Sequence, residues 1–517
     1  MARFHTTLSA LCLFLVRATI SITVNLDDLA SVKSAASTIT QDMMAYITTQ
    51  PPYLLPYPPY FWWSSGAMFG TLIDYWMATG DSTYNNATSE SILAQIGSDS
   101  DFMPLDQSFD MGNDDQAFWA LTALTAAESN FQTPPKGSPS WLALAQAVFN
   151  EQISRWDNST CGGGIHWQVY LSGGYSLKNS IANGALFQIA TRLARYTQDD
   201  LYSNWAIKLW DWMWAIGLID NENYTVYDST DSSNNCTTLG KGLWSYNAGT
   251  MLVGAAIMFN ITSDETWKNR TTHILNTAIF DYIPNGIMTE GCEVYGTGEH
   301  HCNYDQVNYK GFLSRWMAMT AQMAPFTEPT ILPLLRSSAT AAMEQCCGTD
   351  PNFSGNTACG RRWTMNSTWD GTSGPGQQLS ALEVLIGTII KSQPVPLTNS
   401  TGGTSVSDPT AGVNTSNDVP GSIVIPPTNS DRAGAWFVTA IILASSAAAC
   451  YLMSAAVFET VSAKSDSNVP AVEPKEPSHR LSKVPAIDIT NKTESSSTEL
   501  GVKMTDLITF DRMHDSS

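Results

Sequence analysis

Two aspartates, Asp114 and Asp115, stand side by side in FDMGNDDQAFWALTALTAAE, where an apolar helical pattern begins. Adjacent carboxyls can serve as proton donor and nucleophile, or as an acid and a base that activates water. An ordinary helix start has the same look, because acidic side chains complement the positive end of the helix dipole. The reaction that calls for such a pair is glycosidic bond cleavage. One carboxyl protonates the leaving oxygen, and the other attacks the anomeric carbon or activates water. Inside a helix, successive side chains diverge by about 100°. At a helix mouth, with Gly112 and Asn113 still in the loop, neighbours can flank one sugar. Sequence neighbours reach short separations more readily than wide ones, so adjacency favours retention of anomeric configuration.

Further polar and aromatic residues precede other helical patterns: Trp62 and Trp63; Asp106, Asp110 and Asn113; His166, Trp167, Tyr175, Lys178, Asn179 and Asn183. Later in the chain come Trp244, Tyr246 and Asn247; Asp305, Gln306 and Lys310; Trp369 and Asp370. Indole faces stack on sugar C–H groups, while amides and carboxylates bond the hydroxyls. The set therefore reads as a glycan groove, although a tryptophan taken singly packs in a core more often than it lines one. Competing motifs are weaker. His300, His301 and Asp305 lack the i, i+4 histidine pair of a helical zinc site, so no metal or cofactor is expected. The triple glycine at 162–164 leads into a strand-like run, IHWQVYL, and not into the helix that a phosphate loop needs. No G-x-S-x-G elbow accompanies a workable His and Asp order.

The elements that must hold these residues are helices. Apolar positions recur with helical period in twelve segments, centred on 28–50, 63–80, 87–97, 113–129, 139–155, 179–197, 200–218, 245–260, 264–280, 305–323, 328–345 and 377–391. The even-numbered segments mix small residues with aromatics, as in WSYNAGTMLVGAAIMF, and suit helices packed on both sides. The odd-numbered ones, such as SWLALAQAVFNEQISRW, keep one polar face. Six inner and six outer helices in alternation predict an all-α domain at 23–391, an (α/α)6 toroid of six helical hairpins. Its inner-helix N-termini would open on one mouth. An irregular helical bundle is the alternative.

Outside that domain the chain changes character. Residues 1–22 read as a signal peptide. Between residues 80 and 420, ten N-x-Ser/Thr sequons, at Asn86, Asn158, Asn223, Asn235, Asn260, Asn269, Asn352, Asn366, Asn399 and Asn414, then point to a glycosylated lumenal or extracellular domain. Seven cysteines in this region, with no CxxC, suit disulfides with one thiol left over; Cys292 and Cys302 are the easiest local pair. Residues 392–431 read as a flexible Ser/Thr/Pro/Gly-rich stalk. Residues 433–458 carry no charge and are long enough to span a membrane, and 459–517 read as a disordered cytoplasmic tail. The expected location is the plasma membrane or cell wall, with the domain outside. A net charge of −21 argues against nucleic acid as a partner.

The motifs NDDQAFWALTALTAAE, CGGGIHWQ, LKNSIANGALFQIATRLARYT, WSYNAGTMLVGAA and YDQVNYKGFLSRW together resemble glycoside hydrolase family 76, the endo-α-1,6-mannanases, and in particular its fungal cell-wall members. The resemblance covers about 25–390 and implies an (α/α)6 fold and a retaining mechanism on α-1,6-linked mannan. It would make Asp114 the nucleophile and Asp115 the general acid and base. It also implies trimming or transfer of the mannan core of GPI glycans, with β-glucan as a candidate acceptor. Many fungal relatives end in a hydrophobic GPI signal, whereas here a long polar tail follows, which favours a true membrane span. The alternatives are a catalytically silent glycan-binding surface protein and an (α/α)6 hydrolase acting on another glycan.

Overall fold

The computed structural model describes residues 21–107, 111–171, 173–294, 302–350, 357–413, 436–449 and 451. Its helices are α1 (Leu29–Met44), α2 (Trp62–Thr79), α3 (Asn85–Leu93), α4 (Asn113–Glu128), α5 (Trp141–Ser154), α6 (Ser180–Thr197) and α7 (Asp200–Ala215). They continue with α8 (Ser245–Thr262), α9 (Glu265–Tyr282), the single turn α10 (Gly291–Val294), α11 (Tyr309–Met323), α12 (Glu328–Gln345) and α13 (Pro375–Gly387). Strands are few. β1 (Leu177–Asn179), β2 (Ser229–Asp231) and β3 (Leu239–Gly240) form one antiparallel sheet, and β4 (Cys346–Thr349) pairs with β5 (Thr357–Cys359).

The domain is mostly helical, as expected, and the helices lie in two concentric rings. In the inner ring α2, α4, α6, α8, α11 and α13 each touch the next, and α13 closes against α2. Outside them α1, α3, α5, α7, α9 and α12 pack on their chain neighbours. Side-chain chemistry explains the division. In α6 every residue except Arg195 and Thr197 is buried, because small and apolar side chains surround it on all sides. In α9 only Trp267, Thr271, Ile274, Leu275, Ala278 and Tyr282 are buried, one stripe at helical spacing against α8. The first helix stops at Met44, short of the expected 50, before the proline-rich loop that starts at Pro51.

Glycines let the inner ring close. A Cβ on Gly249 would lie 2.6 Å from Trp316, and one on Gly254 would lie 2.3 Å from the Phe187 ring. Gly254→Ala should therefore overpack the α6–α8 contact and cost about 1–3 kcal/mol, read as a lower melting temperature with the midpoint slope unchanged. At the C-terminal ends of the inner helices the ring centre is filled by charge. Arg192 pairs with Glu128 at 2.7 Å and Arg315 with Asp74 at 2.5 Å, around a cavity of about 70 Å³.

Three disulfides tie the loops: Cys161–Cys236, Cys292–Cys302 and Cys346–Cys359, with Cys347 a thiol. The local pair and the leftover cysteine match the sequence reading. Of the ten sequon asparagines, Asn352 and Asn414 lie outside the described residues, and the other eight are all exposed.

The stalk does not begin at 392. Residues 392–413 run along the outside of the domain, with Leu397 N–H donating to Glu128 O (2.7 Å), Ser405 N–H to the Tyr196 hydroxyl (3.1 Å) and Asp408 N–H to Gln146 Oε1 (2.7 Å). Asn150 Nδ2 reaches Ala411 O at 2.8 Å. Composition predicted a loose segment because it lacks large apolar residues. Its order comes from backbone groups finding partners on α4, α5 and α6, which no composition rule detects.

A second unit starts at Ile423 and is described only as helix at 436–449 and 451. No described helix is long and apolar enough to cross a membrane. Residues 1–20, 433–435, 450 and 452–517 lie outside the described residues, so nearly all of the expected signal peptide, both ends of the expected span and the whole tail fall there.

Candidate active site

The Asp pair sits where α4 meets the loop that leads to α6. Gly112 is extended (φ −83°, ψ 155°) and forms an antiparallel bridge with Gln168. Asn113 N–H donates to Trp167 O at 2.7 Å, and Val169 N–H to Met111 O at 3.0 Å. The run IHWQVYL is thus not the hairpin strand that its alternation suggested. It is a single bridge that pins Trp167 against the start of α4.

The first turn of α4 orients the two carboxyls differently. Asp115 Oδ2 turns back to accept from Gly112 N–H at 2.8 Å. Asp114 Oδ2 accepts from the Trp167 indole Nε1–H at 3.1 Å. Asp114 Oδ1 is buried and accepts no hydrogen bond. A buried carboxylate oxygen without a partner is costly and asks for an explanation, and a role in chemistry is one. Burial, with the Asp115 charge added, raises the Asp114 carboxyl well above the ordinary range; its own backbone N–H, the Trp167 indole and the Asp115 N–H pull it back. The two carboxyls therefore titrate as one unit.

Room for this arrangement depends on Gly112. A Cβ there would lie 2.2 Å from Asp114 Oδ1, although its backbone angles suit any residue. Gly112→Ala should displace the Asp114 carboxyl and lower kcat by about 10²-fold, with the melting temperature nearly unchanged. A wild-type kcat in the folded variant would contradict this placement of the carboxyl.

Across the ring, Tyr246 stacks on Tyr309 with centroids 3.8 Å apart, and Trp244, the N-cap of α8, meets Tyr309 edge-on at 5.9 Å. Burial, Tyr309 and the charges of Asp228 and Asp114 all raise the Tyr246 hydroxyl, so Tyr246 lies within electrostatic reach of both aspartates. Asn247 Nδ2 faces Asp228 Oδ1 at 3.4 Å. The structure thus brings Trp167 against the Asp114–Asp115 pair and places Tyr246 and Asn247, both buried, behind it. Sequence reasoning missed Asp228 and Tyr309 as site residues. Asp228 precedes β2 and no helix start marks it. Tyr309 was visible only as an aromatic opening a small-residue helix.

Several expected binding residues are corrected by burial. Lys178 is wholly buried, and its ammonium binds Asp157 Oδ2 (2.9 Å) and the carbonyls of Asp157, Thr160 and Gly163, so no donor remains for a sugar. Lys310 pairs with buried Glu293 at 2.7 Å and lies 3.9 Å from the centre of the Trp363 ring. Trp63 packs between Phe118 (4.8 Å) and Phe312 (6.1 Å) and is 8 % exposed. Asn113 donates to His166 O at 2.9 Å and accepts from Arg155 at 2.7 Å. Asn179 caps α6, and Asn183 is spent on Ile165 and on Asn179 O. Trp63 apart, these are polar groups that a tightly packed ring must satisfy internally.

The remaining candidates bond to nearby groups of the domain. Gln306 Oε1 accepts from Asn303 N–H at 3.0 Å, and Asp305 N–H donates to Asn303 Oδ1 at 3.0 Å, while burial, with the Asp305 charge added, raises the Tyr309 hydroxyl. Trp62 donates to Gln95 at 2.8 Å and stacks on Trp119. Trp369 and Asp370 bind Thr372 within their own turn. Asp110, His300 and His301 lie outside the described residues.

The Trp167 loop is held from beneath. Asp157 binds Lys178 and lies 3.2 Å from His166 Nε2. Burial opposes the Asp157 charge, yet hydrogen bonds from Ser159, Thr160 and Lys178 hold its carboxyl far below the usual range. Burial, with the Lys178 charge added, lowers His166, which stacks on Tyr175 at 4.3 Å. An ionised Asp157 with a charged Lys178 and a neutral His166 is a structural lock.

Comparison with known proteins bears on this arrangement. The glycosyl hydrolase family 76 profile matches residues 31–400. The chain is 41% identical over 438 residues to the mannan endo-1,6-alpha-mannosidase DCW1 of Saccharomyces cerevisiae, covering 83% of this chain and 94% of that protein. It resembles the crystal structure of Dfg5 from Chaetomium thermophilum in complex with glucosamine, with 40% identity, a TM-score of 0.71, and coverage of 75% of this chain and 97% of that one. An inactive variant of the α-1,6-mannanase GH76A of Salegentibacter, with two aspartates changed to asparagine and α-1,6-mannotriose bound, shares the fold at 17% identity and a TM-score of 0.55, covering 70% of this chain and 100% of that one.

Proposed function

The chain belongs to glycosyl hydrolase family 76 and is a glycoside hydrolase, and we propose that it cleaves α-1,6-linked mannan with retention, through a covalent mannosyl-enzyme on Asp114. An (α/α)6 toroid of six hairpins accounts for the double ring and gives the pair its mouth. The observation that carries the reading is the enclosed Asp pair with one free oxygen on Asp114.

In the first step the Asp115 carboxylic acid gives its proton to the glycosidic oxygen while Asp114 attacks C1. The C1–O bond breaks and the leaving sugar departs as an alcohol. In the second step Asp115, now a carboxylate, takes a proton from the incoming hydroxyl, whose oxygen attacks C1 and frees Asp114. Water at that position gives hydrolysis; a sugar hydroxyl gives transfer.

Support for mannan as substrate comes from the yeast relative's name and from the mannotriose bound to the bacterial α-1,6-mannanase. The glucosamine bound to the Chaetomium relative supports a glycan that carries an amino sugar, as the core of a GPI glycan does. The apolar stretch 433–458 would tether the domain outside the plasma membrane, within reach of such glycans.

Product analysis tests the reading. With α-1,6-mannotetraose the expected products are shorter α-1,6-mannosides. With a β-glucan oligosaccharide added, mannosylated acceptor is expected as well. Binding of mannotetraose without any turnover would instead identify a silent glycan receptor, and activity confined to glucans would identify a different hydrolase.

A further inference from the structure

We propose that the Trp167 indole N–H shifts the single proton of the pair toward Asp115, favouring an ionised Asp114 for attack. The inference rests on the double-displacement reading above. Trp167 is then a positioning residue, acting through Asp114 rather than on the sugar.

Two carboxyls this close in an enclosed site do not both ionise readily, so the free enzyme holds one proton between them. The nucleophile needs that proton on Asp115. Enclosure works the other way, because Asp114 Oδ1 is buried and accepts no hydrogen bond. Asp115 also accepts from Gly112 N–H, which favours its charged form. The group that opposes this order is the indole N–H, 3.1 Å from Asp114 Oδ2, since a donor to the charged form stabilises that form.

The donor is held so that it cannot turn away. Trp167 N–H donates to Leu177 O and its carbonyl accepts from Asn113 N–H, both at 2.7 Å. One face of the indole lies against Gly174, where a Cβ would be 2.5 Å from the ring and where φ is +86°, a conformation that favours glycine. The Asp157–Lys178 pair anchors the same loop. An indole so fixed supplies a pre-oriented dipole that does not reorganise during the reaction.

The test replaces Trp167, in the full chain, by benzothienylalanine, which keeps the shape of tryptophan and puts sulfur in place of N–H. Trp167→Phe is measured beside it; should the phenylalanine variant fail to fold, the isostere alone decides. The readout is the pH dependence of kcat/KM on α-1,6-mannotetraose. Without the donor, Asp114 becomes harder to ionise. The acid limb should therefore move up by about one pH unit, with about tenfold lower kcat/KM on that limb. KM and melting temperature should stay near wild type. A 2,4-dinitrophenyl α-mannobioside, whose leaving group needs no proton, should show the same loss, because it is the attack that is impaired. An acid limb at the wild-type position in the isostere overturns the proposal, as does a loss confined to KM. Failure of the underlying reading would look different: Asp114→Asn or Asp115→Asn would keep its activity. Inactive aspartate variants beside an unaltered isostere would remove only the role of Trp167.

Discussion

Asp114→Asn is expected to lower kcat on α-1,6-mannotetraose by about 10⁴-fold or more, and Asp115→Asn by a comparable factor. Each carboxyl belongs to one machine, so losing either stops it, and the double variant should be little worse than either single one. Both variants should fold and still bind the tetrasaccharide, because asparagine preserves shape and neither side chain supports the core. They separate on an activated substrate. A dinitrophenyl leaving group needs no protonation, so the first step in Asp115→Ala should recover substantially. Asp114→Ala should not recover, having no nucleophile. Isothermal titration for binding and stopped-flow release of dinitrophenolate read the two effects independently. Equal recovery in both would contradict the assigned roles.

Lys178→Met and Lys310→Met should each destabilise the protein by about 3–5 kcal/mol, because each leaves a buried or half-buried carboxylate, Asp157 or Glu293, without its counter-charge. In a domain of this size that corresponds to a fall of roughly 5 °C in melting temperature. A role in sugar binding predicts the opposite pattern, a raised KM with an unchanged melting curve. The two readings of these lysines are thus separated by one calorimetric scan and one kinetic titration. Restoring neutrality in the Glu293→Gln, Lys310→Met double variant should recover part of the loss, since the penalty lies mainly in the unpaired charge.

Helical period and the alternation of small-residue with amphipathic segments made the double ring legible in the sequence. The reason is that an inner helix must accept neighbours on every side, which α6 shows and α9 does not. The Asp pair was legible too, since an acidic pair after a glycine at a helix mouth has a local signature. What was not legible is which polar residues face the cleft. Lys178, Lys310, Asn113 and Asn183 precede or open inner helices, and only packing reveals that their polar atoms are consumed inside. Asp228 escaped notice for the converse reason: it reaches the site from a short strand-forming segment with no periodic pattern around it. The order of 392–413 was hidden because its partners lie more than 200 positions away in the chain.

The account turns on a covalent sugar bound to Asp114, and that adduct can be looked for directly. Incubation with a 2-deoxy-2-fluoro α-1,6-mannobiosyl fluoride slows turnover of the intermediate, and mass spectrometry of the digested protein locates the added sugar. The expected result is one added mannobiosyl group per chain, on the peptide containing Asp114 and Asp115, with fragment ions assigning it to Asp114. An adduct on Asp115 would reverse the two roles. Hydrolysis of the reagent with no adduct, giving β-configured product, would contradict the retaining mechanism itself.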